Sequence, residues 1–256
     1  MAAAPHRFLD MFPPGLDVTS IQSKSPYSFD SEQLYNTFTR GYDPEKHIES
    51  TLVKSVRYCK HTKGVQHEFI LVEIEDIKVP LINYIVLDRT ISQDYSGITI
   101  QRPFRRKRTN SSIQSYCGPA VDAFRVSYNG NKEQLLKACQ LQPCRDLEEI
   151  EFTRVNPVYL YQLVTLVHVV SGRTPNYDLS GKNCYWFAGL VWGCLLSLRP
   201  DSRYDSHLSE NNRGRLAVIY CAPEEKEVTE TCNAFEEQIQ KVDKALSESR
   251  KVRLSV

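Results

Sequence analysis

The sequence predicts an α+β fold: an antiparallel sheet packed on two apolar helices, followed by a charged amphipathic C-terminal helix. Three observations carry this. Runs rich in β-formers, HEFILVEI (67–74) and INYIVLDRTI (82–91), are separated by a short polar link, the pattern of an antiparallel hairpin. The stretch CYWFAGLVWGCLLSL, from Cys184, is apolar on nearly every face and too short to span a bilayer, so it predicts a buried central helix. In the tail, Cys232, Phe235, Ile239, Val242 and Leu246 alternate at spacings of 3 and 4, the seam of an amphipathic helix.

The elements fall into three stretches. Residues 1–50 carry Pro5, Pro13, Pro14 and Pro26 with little periodicity and read as an irregular arm. Within it, SEQLYNTFTRGYDP (31–44) predicts a short helix, with Ser31 as cap and Gly41 and Pro44 as the stop. Residues 51–222 read as a single α+β domain. It opens with the alternating TLVKSVRYCK and continues through the hairpin to a basic loop at 101–116. Further strands are expected at 123–128, 147–153 and 215–223, and a short helix at 132–141. The first apolar helix has Asn156 as its expected cap, Pro157 in its first turn and Gly172 at its close. Residues 223–256 form the charged helix, whose Phe235, Ile239, Val242 and Leu246 dock on the protein itself or on a partner helix. Docking is the expected outcome, since coiled coils this short are marginal alone.

The chain has 256 residues, with 32 Lys and Arg against 31 Asp and Glu, a net charge of +1. This excludes a globally basic nucleic-acid binder but leaves room for a local patch. Arg102, Arg105, Arg106, Lys107 and Arg108 form one, suited to an anionic partner, to nuclear targeting, or simply to a solvated loop. Only Phe104 and Tyr116 supply aromatics nearby, too few for a platform that stacks single strands. A hydrophobic fraction of 41% and a mean hydropathy of −0.41 fit a globular domain with no transmembrane segment.

The 8 cysteines have no CxxC pair and no metal-site spacing, and Met1 to Pro14 contain no apolar run of the length a signal peptide needs, so none is expected. They are expected to be free thiols in a reducing compartment, cytoplasmic or nuclear, with no metal or cofactor. Most should fill space as small buried hydrophobes.

Cys184 stands apart from the other seven. It begins the apolar helix after the polar DLSGKN, where unpaired N–H groups and the positive end of the helix dipole favour a thiolate. The same N–H groups suit an oxyanion. The competing reading is a buried space-filler. His67 opens a strand after a turn-like stretch, which suits a general base, or equally an exposed turn histidine. His168, inside an apolar helix, reads as packed. With Ile74 near Ile82 across the hairpin turn, His67 lies opposite the neighbourhood of Asp88 and Arg89. Asp88 then orients the imidazole, unless it pairs with Arg89 in solvent; Asn83 is the alternative orienter. A slip of one residue would turn Asp88 to the other face.

A strand-initial His67, a second strand ending in polar Asp88 and a later helix beginning N-C-x-x-F resemble the permuted papain-like thiol enzymes. These include lecithin:retinol acyltransferase-like proteins and PPPDE peptidases, related to the NlpC/P60 group. The motif YDLSGKNCYWFAGLVWG (177–193) is similar to the family form through Tyr177, Leu179, Asn183, Cys184, Phe187 and Gly193. The resemblance implies a permuted papain-like fold with Cys184 as nucleophile, His67 as base and Asp88 as third member. The expected function is a cysteine-dependent hydrolase or acyltransferase acting on an amide, isopeptide or ester carbonyl. The alternative is a non-catalytic interaction module using the basic loop and the C-terminal helix.

Overall fold

The computed structural model describes residues 25–40, 47–63, 66–78, 81–92, 117–178, 181–206, 213–216 and 219–254. The basic cluster from Arg102 to Arg108 lies outside them. The strands are β1 (Tyr27–Asp30), β2 (Thr51–His61), β3 (Glu68–Asp76), β4 (Leu81–Ile91), β5 (Cys117–Val126), β6 (Cys144–Glu151), β7 (Val158–Tyr159), β8 (Asn176–Asp178), β9 (Arg203–Asp205), β10 (Arg215–Leu216) and β11 (Ile219–Tyr220). The helices are α1 (Ser31–Arg40), α2 (Lys132–Ala138), α3 (Leu160–Arg173), α4 (Cys184–Leu198) and α5 (Glu225–Leu254).

The fold is α+β, built on a large antiparallel sheet in the order β1-β5-β4-β3-β2-β6-β9. Short β7 pairs with β2, and β8 with β5. The two sheet faces have different covers. Val56, Tyr58, Ile70, Val72, Ile85, Leu87 and Phe124 join the apolar side chains of α3 and α4 in the main core. Each fully buried aliphatic there is worth roughly 1.5–3 kcal/mol. The alternate residues Cys59, Phe69, Leu71 and Val86 meet Leu135 and Leu136 of α2 in a smaller core.

Helix α4 is buried along most of its length because α5 crosses its outer side. Gly189 and Gly193 lie four residues apart on one face and permit the approach. A Cβ at Gly189 would stand 2.7 Å from Pro223 Cδ, and one at Gly193 3.0 Å from Val228 Cγ2. The α5 seam is docked within the chain: Phe235, Val242 and Leu246 are buried, and half-buried Ile239 packs against the main core.

Several local expectations need correction. Residues 27–30, expected to be irregular, pair with β5 as an outer strand of the sheet. Asp30, not Ser31, caps α1 by accepting from Gln33 N at 2.7 Å. Asn156 is not the cap of α3. Its amide donates to Asp201, Val158 and Tyr159 pair with β2, and the helix starts at Leu160, with Gln162 Oε1 accepting from Tyr159 N at 3.1 Å. Local composition marked a helix start here, and the free side of β2 drew its first residues into the sheet. The single strand expected at 215–223 is instead the small β10–β11 hairpin, with Arg215 opposite Tyr220. Among the described residues, no helix is long and apolar enough to cross a membrane.

Candidate active site

The site lies at the N-terminus of α4. Asn183 adopts extended backbone, and its Oδ1 accepts from Tyr185 N at 3.0 Å and Trp186 N at 3.2 Å. Two of the first-turn donors expected to serve an oxyanion are therefore occupied by the cap. Cys184 begins the helix and is 2% exposed. Tyr185 reaches back to the sheet, its hydroxyl donating to Gln66 O at 3.0 Å. Gln66 has a φ of 55°, in the left-handed region that a β-strand cannot continue through, so the chain turns sharply just before His67. A side chain of α4 thus holds the turn that presents the histidine.

His67 stands immediately before β3. Its Nε2 lies 3.5 Å from Asp88 Oδ2, and Arg125 Nη2 lies 3.1 Å from the same oxygen. The His67–Asp88 contact is long for a hydrogen bond, and Nε2 and Asp88 Oδ1 both lack a well-formed partner. Catalytic hydrogen bonds are often long before substrate binds. The imidazole also interacts with the Cys184 thiol. Burial lowers the His67 pKa, but the close polar contacts with Asp88 and Cys184, with their negative charge, more than offset this and raise it from 6.5 to about 10. Imidazolium is the favoured form at neutral pH.

The hairpin register explains the contact and corrects the expected pairing by one residue. Leu87 faces Ile70 and Val86 faces Leu71, so Asp88 comes opposite Phe69 when the ladder is extended. Residues 67 and 69 point the same way, and their rings stack with centroids 6.4 Å apart. Asp88 and His67 therefore meet on a diagonal, not directly across the pair.

Arg89 points the opposite way. It forms a bidentate pair with Asp122 at 2.6 and 2.8 Å beneath the rings of Trp186 and Phe187. The solvent pair between Asp88 and Arg89 does not form, and Arg125 is the cation on Asp88. Asn83 is excluded as the orienter, since it sits at the turn end of the hairpin opposite Ile74 and donates to Ser127 O at 3.0 Å. His168 stacks on Tyr35 at 4.0 Å, a packed histidine.

Tyr177 joins the candidate site, a residue the sequence reading left without a role. Strand β8 carries it beside β5, opposite Gly118. Its hydroxyl interacts with Cys184. Burial and the Cys184 charge push its pKa up, so it remains a protonated donor. Its place seven residues before the cysteine, in the motif quoted above, was the available signal.

A buried charge cluster closes the site. Lys60 and Glu68, 1% and 0% exposed, pair at 3.0 Å, and Tyr58 donates to the same carboxylate. Glu68 accepts from Gly214 N, and Lys60 donates to Arg215 O at 2.7 Å. The segment entering β10 is thereby fastened over the sheet, and Cys221, just after β11, packs with Cys184 and Tyr185. A cavity of about 350 Å³ borders His67, Asp88, Thr90, Arg125 and Cys139 on the face that carries α2. The seven cysteines whose side chains are described are free thiols. Among the described residues, no group of three or more His, Cys, Asp or Glu could hold a metal ion.

No protein-family model, no curated protein and no solved structure matches this chain.

Proposed function

We propose that the protein is a cysteine-dependent hydrolase or acyltransferase acting on an amide, isopeptide or ester carbonyl. One observation carries the reading: His67 lies 3.5 Å from Asp88 and also interacts with Cys184, the residue types of a nucleophile–base–orienter arrangement. Proton transfer from Cys184 to His67 gives a thiolate–imidazolium pair, which the raised His67 pKa favours.

The thiolate attacks the carbonyl carbon, an S–C bond forms, and the C=O π pair moves to oxygen. The Cys184 N–H and the Tyr177 hydroxyl are the donors proposed for that oxygen. Collapse of the intermediate expels the leaving group, which takes its proton from His67. Water or another acceptor then releases the acyl group from Cys184. This order of residues, with His67 well before Cys184, supports the permuted papain-like fold that the sequence resembles. We place the protein in a reducing compartment, cytoplasmic or nuclear, with the Arg102–Arg108 cluster available to an anionic partner.

A non-catalytic interaction module is the second reading, favoured by the burial of Cys184, which packs with Tyr185 and Cys221. Treatment with p-nitrophenyl acetate separates the two. The catalytic reading predicts a burst of p-nitrophenolate and an acetyl group on the Cys184 peptide, absent in Cys184→Ala and strongly reduced in His67→Ala. Acetylation spread over the other cysteines, or unchanged by His67→Ala, supports the interaction module instead.

A further inference from the structure

A second pair of cysteines meets away from this site, where α4 and α5 cross. Cys194 and Cys232 both belong to the main core and are 0% and 9% exposed. Gly193 lets the helices approach until Val228 takes the space a side chain would fill. The Cys194 thiol then donates to Val228 O at 3.8 Å. Cys232 lies one turn beyond Val228 and so shares its face of α5.

The two thiols hydrogen-bond each other, and Ser197, three residues on from Cys194, adds a contact to Cys232. The bond from Cys194 lowers the Cys232 pKa against the opposing effect of burial, while the same bond and burial raise that of Cys194. The geometry thus brings two thiols together in the core where α4 and α5 cross. A thiolate is the form that reduces peroxides, and an adjacent thiol is what resolves the product.

We propose that Cys194 and Cys232 form an oxidisable dithiol, which a hydroperoxide converts into a disulfide joining α4 to α5. The Cys232 sulfur attacks the terminal peroxide oxygen, the O–O bond breaks, and alcohol (or water, from hydrogen peroxide) leaves. The sulfenic acid on Cys232 is then attacked by the Cys194 sulfur. The S–O bond breaks, and the departing hydroxide takes the Cys194 proton as water. Two thiols are oxidised and one hydroperoxide is reduced.

The bond would tie down the helix whose first turn braces the loop before Cys184. Glu227 pairs with Lys182 and accepts from Trp186 Nε1 at 3.3 Å. This chemistry is independent of the acyl-transfer reading, because it uses neither Cys184 nor His67.

The test is peroxide treatment of the full-length protein, followed by intact mass and non-reducing peptide mapping. The proposal predicts the loss of two hydrogen masses, a linked peptide pair carrying Cys194 and Cys232, reversal by dithiothreitol and a higher Tm for the oxidised form. Cys194→Ser and Cys232→Ser each abolish the link, and Cys184→Ala retains it. An unchanged mass, oxygen addition at Cys232 without a link, or a link through other cysteines would each overturn the proposal. The wild-type map decides even where a serine variant fails to fold.

Discussion

The two ends of the β3–β4 hairpin are built to different rules. At the turn end, polar groups are buried or half-buried and fully answered. Ser50 donates to Asp76 at 3.0 Å, Asp76 accepts from Lys78 N at 2.7 Å, and Asn83 bonds both Tyr84 N and Ser127 O. At the open end, His67, Glu68, Asp88 and Arg89 crowd together with Lys60, and the bonding is incomplete. Five buried side-chain atoms lack a hydrogen-bond partner among the described residues, and His67 Nε2, Asp88 Oδ1 and Arg89 Nη1 are three of them. A fold seeking stability alone would satisfy or remove such groups. Their concentration at one end fits the proposal that the open end carries chemistry while the turn end carries the sheet.

That contrast can be broken or sharpened by substitution. The largest effect is expected at the imidazole: His67→Ala should slow acylation of Cys184 by about 10²–10⁴-fold while leaving the far-UV spectrum intact. Lys60→Met should come next, lowering unfolding free energy by about 3–5 kcal/mol in a denaturant titration, because Glu68 is left as an unpaired buried charge.

Asp88→Asn should bring the His67 pKa down from about 10, read by NMR titration of the ring protons, since a principal group that raises it is gone. The sign for stability follows. The native pKa lies above the ordinary 6.5, so the imidazolium contribution is fully present below 6.5 and is lost as pH rises through about 10. Wild type should therefore lose more stability over that interval than Asp88→Asn does. The smallest effect belongs to the turn end. Asn83→Ala should cost about 1 kcal/mol and leave the acylation rate unchanged. A change in acylation from Asn83→Ala comparable to that from His67→Ala would erase the distinction between the two ends.

Much of this architecture was legible because it is local. Asn183 before Cys184, and the unbroken apolar run after it, specify a capped and buried helix, and α4 begins and ends where the run does. The hairpin was legible as two β-rich runs, but its register was not. Composition cannot distinguish Leu87 opposite Ile70 from its neighbour, and one residue decides which side of the sheet Asp88 occupies. Arg125 was invisible as a site residue because β5 brings it in from a distant part of the chain, whereas Tyr177 was legible only as a motif match until β8 set it beside β5. The Asn156 cap failed for a related reason: pairing of Val158 and Tyr159 with β2 outweighed a local helix signal.

The central claim is that His67 activates one buried cysteine among several. Peptide-resolved iodoacetamide labelling at neutral pH tests it most directly, comparing wild type with His67→Ala. The account predicts that Cys184 labels well ahead of buried Cys59 and Cys194 in wild type and loses that lead in the variant. Equal labelling of Cys184 and Cys194 in wild type, or an unchanged Cys184 rate without the imidazole, would contradict it.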